Sequence, residues 1–400
     1  MDRRCAFCGR ARHEVRKLVA GPSVYICDRC IAACKQLLSE DRRVFPLAGP
    51  RPPRPSDLAD RLDEYVIGQE HAKRILTVAV YNHMKRVAAR GFAGEVELTK
   101  GNILLMGPPG TGKTHLARTL ARILEVPFAI ADATPLTQAG YVGEDVESIV
   151  SKLLRAAGND AERAGKGIIY LDEVDKLARR VGHDRDESGE GVQQGLLKIL
   201  EGKRVQVRLG GDRATGLGSE IVEVDTTNIL FIAGGAFEGL ARQIAQRKKG
   251  SCAGFRAGED RPPDRTFEGL KEALPEDLHK FGFLPEFVGR FPVIVALDAL
   301  DEPVLVRILT EPKDALVRQY QRLFALEGAA LEFTEEALLE IAHRALSRGT
   351  GARGLRSVLE ELLLDAMFEL PSAGGGTWRV DEEAVKQNHV ERVEKGRTAA

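Results

Sequence analysis

One segment constrains this 400-residue chain more than any other: Gly107-Pro108-Pro109-Gly110-Thr111-Gly112-Lys113-Thr114. It follows a short aliphatic run, Asn102 to Met106, and precedes a helical pattern, His115 to Leu124. A buried strand that ends in glycines and opens a helix lets backbone N–H groups wrap phosphates. The positive end of the helix dipole lies behind them. In that setting Gly107 to Gly112 form the cradle, and Lys113 reaches the β- and γ-phosphates of a bound ATP. The Thr114 hydroxyl holds Mg²⁺.

A second segment completes the chemistry. Ile168-Ile169-Tyr170-Leu171 is an aliphatic run closed by two acids, Asp172 and Glu173. Asp172 is expected to assist Mg²⁺ coordination and Glu173 to orient or deprotonate the attacking water. Both roles place the acids at the carboxyl edge of a strand beside the phosphate-binding strand. Alone, two acids after a strand form a solvated turn more often than a catalytic pair. Beside Lys113 they read as an ATP-hydrolysing site.

The rest of the middle of the chain agrees. Helical patterns at Glu70–Arg90, Val146–Ala157 and Val192–Glu201 alternate with strand patterns at Pro127–Ala131 and Asn228–Ala233. Alternation of this kind predicts a parallel sheet covered on both faces. After Leu300 helices dominate, at Pro303–Leu326, Glu335–Ser347 and Leu355–Leu370. The stretch from Arg247 to Asp264, rich in Gly, Lys, Arg and Pro, reads as a mobile loop.

The N-terminal end is chemically distinct. Cys5-Ala-Phe-Cys8 and Cys27-Asp-Arg-Cys30 are two CxxC pairs, followed by a helical pattern over Ile31–Leu38. Four thiolates so spaced close a tetrahedral Zn²⁺ site with no open position, so its role is structural. A unit this small draws much of its folding energy from the metal. Chance spacing of core cysteines, a redox CxxC and a nucleic-acid finger are the competing readings. The last is weakened by mixed charges and the lack of a basic base-reading helix. Cys34, one turn beyond Cys30, reads as a buried thiol. Five prolines within Pro46–Pro55 then mark a semi-rigid linker.

The expected organisation is therefore a zinc module over 1–45, a linker over 46–62, an α/β ATPase domain over 63–299, a helical small domain over 300–393 and a frayed tail over 394–400. Lys plus Arg total 58 and Asp plus Glu 59, a net charge of −1. That balance gives no global attraction to nucleic acid or anionic lipid. No apolar run reaches the roughly 18 residues of a membrane span, and no secretion signal opens the chain. A cytoplasmic protein without nucleic-acid or membrane partners is expected.

Two arginines remain. Arg290 lies in Leu284-Pro-Glu-Phe-Val-Gly-Arg-Phe-Pro292, and Arg353 in Gly349-Thr-Gly-Ala-Arg-Gly-Leu-Arg356. By pattern alone each is a candidate for the ATP site and equally a surface ion-pair residue.

With these residues in place, the chain resembles the ClpX family, hexameric AAA+ unfoldases that feed proteins to the ClpP peptidase. The resemblance spans nearly the whole length. It implies that the cysteine module is a zinc domain that docks substrates and adaptors. It implies that Val66-Ile67-Gly-Gln69 lines the adenine pocket. Gly140-Tyr141-Val142-Gly143 is similar to the first pore loop, with Tyr141 gripping the translocating polypeptide and Val142 packed beside it. Glu187 to Gln194 is similar to the second pore loop and its following helix. Arg290 matches the arginine finger that acts on a neighbouring subunit, and Arg353 matches the sensor-2 arginine. The activity implied is ATP-driven unfolding of proteins through a ring pore. A peptidase-independent remodelling chaperone is the alternative, and a nucleic-acid motor or zinc-finger binding protein is the alternative of another class.

Three departures stand out. The family's Arg-Lys-His loop at the pore entrance is replaced by Leu209-Gly-Gly-Asp-Arg-Ala-Thr-Gly216. The peptidase-docking tripeptide, normally Ile or Leu before Gly-Phe, reads Ala253-Gly254-Phe255. Burying such an aliphatic side chain is worth about 1.5–3 kcal/mol, and six loops multiply the deficit. The sensor-1 strand ends in Gly234-Gly235, where many AAA+ proteins carry a polar side chain and the ClpX family is similar to this glycine version.

Overall fold

The computed structural model describes residues 4–22, 24–40, 52–89, 98–137, 144–179, 187–209, 220–251, 267–373 and 375–393. Two units emerge: residues 1–52 with 84–99, and residues 53–83 with 100–400.

In the first unit, β1 (Leu18–Ala20) and β2 (Tyr25–Cys27) pair antiparallel, and α1 (Asp28–Glu40) follows directly. An isolated bridge between Arg4 and Ala11 closes the first CxxC turn. Gly9 holds a left-handed φ of 72° there, so a glycine suits the position.

In the second unit, α2 (Pro55–Asp63) occupies part of the segment read as linker. Proline is tolerated at the first helical turn, where its missing N–H costs nothing, and Leu58 and Leu62, four apart, are fully buried. Proline density outweighed that i,i+4 pair in the sequence reading. Then come α3 (Glu70–Ala89), of which residues 70–83 belong to this unit, β3 (Ile103–Met106), α4 (Lys113–Leu124) and β4 (Phe128–Asp132). Two-residue strands β5 (Leu136–Thr137) and β6 (Glu144–Asp145) flank the segment holding Tyr141 and Val142, which lies outside the described residues. Helices α5 (Ser148–Ala156) and α6 (Ala161–Ala164) lead to β7 (Ile168–Asp172), and α7 (Glu187–Glu201) to an antiparallel hairpin, β8 (Arg204–Leu209) and β9 (Glu220–Asp225). The sequence reading missed this hairpin. Strand β10 (Leu230–Gly235) precedes α8 (Leu240–Ser251), which carries helix into the first residues of the expected loop; Ala253-Gly254-Phe255 lies outside the described residues. Helices α9 (Pro275–Phe281) and α10 (Pro285–Val288) lead to β11 (Val293–Ala296).

The five-stranded sheet has the order β11-β3-β10-β7-β4 and is parallel throughout. This corrects one expectation. The strand bearing Asp172 is not the neighbour of the phosphate-binding strand, because β10 lies between them. Aliphatic runs buried on both faces fix which strands are central, but not their order.

The small domain follows as α11 (Glu302–Thr310), α12 (Leu316–Leu326), β12 (Ala329–Phe333), α13 (Glu335–Ser347), α14 (Ala352–Ala373), β13 (Gly376–Val380), α15 (Glu382–Gln387) and β14 (Glu391–Val393). The continuous helix expected over Pro303–Leu326 is two helices. Pro312 lies in the break, where proline's missing N–H and ring stop helix propagation. A three-stranded sheet, β12-β13-β14, was also not anticipated. Its strands are three to five residues long, too short for their alternation to stand out. Trp378 on β13 packs edge-on against Phe324 of α12. Two apolar cores result, one running from Leu104 to Ala296 and one from Leu305 to Val390.

Candidate functional site

The glycine-rich loop at 107–112 forms because β3 is buried along its whole length and α4 starts at once. Gly112 caps α4 in a left-handed conformation, φ 96°, which a β-carbon would disfavour. The Thr111 hydroxyl donates to the Pro108 carbonyl at 2.8 Å and tightens the loop. The Lys113 ammonium, 9% exposed, donates to the carbonyl oxygens of Gly107 at 2.7 Å and Pro108 at 2.8 Å. Burial brings its pKa down to about 8; the charge of Arg353 adds to the effect, and Asp172 opposes it. A buried cation that satisfies itself on its own loop is poised for an anion.

The acids sit across from it. The Thr114 hydroxyl donates to Asp172 Oδ2 at 3.1 Å, even though β10 separates their strands. The reach comes from α4, which projects Thr114 over the carboxyl ends of the strands. Asp172 Oδ1 accepts the Glu173 backbone N–H at 3.0 Å and the Tyr170 hydroxyl at 3.4 Å. Glu173 itself adopts a left-handed φ of 53°, rare for a side chain with a β-carbon. That turn aims its exposed carboxylate at Thr134, whose hydroxyl donates to Glu173 Oε2 at 3.1 Å. Thr134 was not singled out in the sequence, where a lone threonine carries no signal.

A third side is supplied by the small domain. The Ala352 backbone N–H donates to the Gly110 carbonyl at 3.1 Å. A β-carbon on Gly110 would overlap the Thr350 carbonyl oxygen and stand 2.9 Å from Gly351 Cα, so this approach requires glycine. Arg353 follows in the first turn of α14; it is exposed, but close enough to depress the Lys113 ammonium. Next to the loop a cavity of about 340 Å³ is lined by Val66, Ile67, Thr111, Gly112, Leu316 and Ala352, among others. Val66 and Ile67 are 7% and 8% exposed. Their turn is pinned by Gln69, whose side chain donates to the Asp298 carbonyl and accepts the Asp298 N–H, each at 2.8 Å. An apolar slot beside a phosphate cradle fits a nucleoside base. Arg356 also lines this cavity and donates to Gln319 at 3.2 Å; neither was foreseen.

Arg290 is elsewhere. Its carbonyl accepts the Asn102 side chain at 2.9 Å, at the amino end of β3, and its guanidinium pairs with Glu201. At about 3.3 Å per residue, Gly107 lies roughly 15 Å away along the strand. Arg290 is therefore not part of this chain's own phosphate loop.

In the first unit the sulfurs of Cys5, Cys8, Cys27 and Cys30 all lie within 4.8 Å of one another. Those of Cys8 and Cys27 are 3.7 Å apart. Zn–S bonds of about 2.3 Å at tetrahedral angles separate sulfurs by about 3.8 Å, so the spacing fits the metal. The N–H of Cys27 points at Cys5 Sγ, 3.2 Å, and that of Cys30 at Cys27 Sγ, 3.4 Å. Burial pushes the Cys5 thiol up, but the backbone N–H groups of Cys8, Cys27 and Phe7 outweigh it and bring it to about 6. Hydrogen bonding with Cys8, together with burial, pushes the Cys30 thiol up. Four sulfurs this close, two of them accepting backbone N–H groups, are a donor set that suits Zn²⁺. Cys34 is not in the cluster and is half-buried rather than buried.

Among the described residues no helix is long and apolar enough to cross a membrane. Residues 98–294 match the AAA domain (Cdc48 subfamily), residues 3–40 the ClpX C4-type zinc finger, and residues 300–382 the C-terminal D2-small domain of ClpB protein. The chain is 52% identical over 386 residues to the ATP-dependent Clp protease ATP-binding subunit ClpX 3 of Methylococcus capsulatus, covering 92% of this chain and 88% of that one. An AAA+ ATPase that uses ATP with Mg²⁺ and carries a four-cysteine zinc finger accounts for both clusters, and the chain belongs to the ClpX family.

Proposed function

We propose that this chain unfolds protein substrates with ATP, threads them through a ring pore and delivers them to a ClpP-type peptidase. The observation that carries this reading is the backbone contact between the phosphate loop and the small domain, at Gly110 and Ala352. A nucleotide bound there touches both domains, so its hydrolysis can change the angle between them.

The residue roles follow from position. Gly107 to Thr114 hold the phosphates, and Val66 and Ile67 pack the base. Thr114 and Asp172 would hold Mg²⁺, which when bound offsets the phosphate charge. Glu173 orients the attacking water and takes its proton. Arg353 reports the phosphate state to its own small domain. Arg290, at the far end of β3, serves the site of a neighbouring subunit in a homohexamer after leaving Glu201. Tyr141 and Val142 line the pore, and the zinc module takes adaptors or substrates. The name of the Methylococcus relative, a Clp protease subunit, supports a peptidase partner.

The test is ATP-dependent loss of fluorescence from a tagged fluorescent protein, with and without the host's ClpP. Absence of ATP-dependent unfolding would sink the proposal. Tyr141→Ala should retain ATPase and lose unfolding; normal unfolding removes that loop from the mechanism. Ala253 in the docking tripeptide favours one second reading, a remodelling chaperone without a peptidase. Unfolding that never activates ClpP selects it.

A further inference from the structure

Strand β10 ends in two glycines, and each is occupied from outside. Tyr170 on β7 pairs with Ile232 on β10, so Gly234, two residues on, shares its face of the sheet. The tyrosine ring leans along the strand and covers that glycine. A β-carbon on Gly234 would overlap the tyrosine hydroxyl and stand 2.7 Å from Cζ. A β-carbon on Gly235 would stand 2.5 Å from Asp175 Oδ1. Asp175 in turn accepts the N–H groups of Ala236 at 3.3 Å and Phe237 at 3.4 Å. Both glycines therefore make room for polar side chains delivered by the β7 segment.

Tyr170 is the only polar residue in Ile168–Leu171, and it is fully buried. A tyrosine at such a position needs a partner for its hydroxyl. The partner is Asp172 Oδ1, at 3.4 Å, on the same face two residues along. The same carboxylate accepts Thr114 and the Glu173 N–H through its remaining lone pairs.

We infer that Tyr170 is a positioning residue of the ATPase site, whose hydroxyl reaches through the space left by Gly234 to fix the Asp172 carboxylate in the rotation that holds Mg²⁺. The inference rests on the reading of Asp172 as a Mg²⁺ ligand. Without the phenol the carboxylate keeps Thr114 on Oδ2 and the amide of Glu173 on Oδ1, but Oδ1 loses one of its two donors and the hold on its rotation weakens. A hydrogen bond to a charged group is typically worth a factor of about ten or more in an equilibrium constant, and this one is long, so the low end applies.

The experiment uses the full-length protein and a fluorescent ADP analogue, titrated with and without Mg²⁺. In the parent, Mg²⁺ tightens nucleotide binding. Tyr170→Phe keeps the ring and is expected to need about tenfold more Mg²⁺ for the same tightening, with Mg²⁺-free affinity unchanged. A Mg²⁺ requirement within twofold of the parent overturns the inference, because a purely space-filling tyrosine predicts that result. A second comparison tests the shared space. Gly234→Asn is expected to restore Mg²⁺ coupling in a Tyr170→Val background, where the ring no longer blocks it. A double variant no better than Tyr170→Val overturns the role assigned to that space. Asp172→Ala is the control for the underlying reading: if it leaves Mg²⁺ coupling intact, the ligand assignment fails, whatever Tyr170→Phe does.

Discussion

Lys113 allows a quantitative test by proton linkage. In the free protein its ammonium is buried against the carbonyls of Gly107 and Pro108, and burial lowers its pKa from 10.5 to about 8. That depression corresponds to about 3 kcal/mol of preference for the neutral amine. A bound phosphate reverses it: at 4 Å and an effective dielectric near 20, one negative charge contributes about 4 kcal/mol in favour of the cation. The bound lysine is therefore fully charged at pH 8, while the free one is about half charged. Binding should take up about 0.5 proton at pH 8 and about 0.1 at pH 7. Phosphate groups, with a second pKa near 6, are already ionised at pH 8 and add nothing. Titration calorimetry of ADP in two buffers of different ionisation enthalpy reads the uptake directly. Normal binding with no buffer dependence at pH 8 would show that Lys113 is fully charged beforehand and refute the burial argument. The same shift has a stability consequence with a definite sign. The folded pKa lies below the unfolded one, so between about pH 8 and 10.5 the unfolded chain binds more protons. Over that window the contribution of Lys113 to stability rises with pH.

Three further perturbations are direct. Glu173→Gln removes the base and should cut ATP turnover by about 10²–10⁴ while nucleotide affinity stays within twofold; undiminished turnover removes Glu173 from the chemistry. Gly110→Ala forces a β-carbon into the Thr350 carbonyl at a φ of 77°, so we expect nucleotide binding weaker by about fivefold or more, on the order of 1–3 kcal/mol, by fluorescence titration; unchanged affinity would separate the small domain from the phosphate loop. Cys27→Ser should abolish stoichiometric zinc, read by atomic absorption, because Cys27 is fully buried and supplies one of the four sulfurs that lie within 4.8 Å of one another; retained zinc at one ion per chain would mean another ligand set.

Much of the site was legible because its motifs are local. The phosphate loop, the Asp172-Glu173 pair and each single CxxC pair lie within eight residues, so short spacing alone brings the atoms of each motif together. The fold class was legible for the same reason, since strand and helix periods repeat within each element. What escaped was set by pairing across the chain. The place of β10 between β3 and β7 depends on which buried faces match, and three aliphatic strands look alike. The small-domain sheet escaped because β14 spans only Glu391–Val393. Thr134 escaped because its function lies in the left-handed turn at Glu173, 39 residues away, which no propensity foretells.

Glycine marks several of these unforeseen contacts. Read as sequence, Gly110 belongs to a phosphate cradle, Gly234-Gly235 is a departure from the wider AAA+ pattern, and Gly351 is a loop residue. In the structure each admits atoms from another element. Gly110 admits Thr350, Gly234 admits Tyr170, Gly235 admits Asp175, and a β-carbon on Gly351 would stand 3.0 Å from the Pro109 carbonyl. The contacts at Gly110 and Gly351 are backbone to backbone, with no flexible side chain to absorb displacement. The contacts at Gly234 and Gly235 tie β10 to Tyr170 and Asp175, each two residues from the Asp172-Glu173 pair. The loop at 107–112, the acids and the small domain are thus joined in one contact network, and missing β-carbons are what let its parts touch.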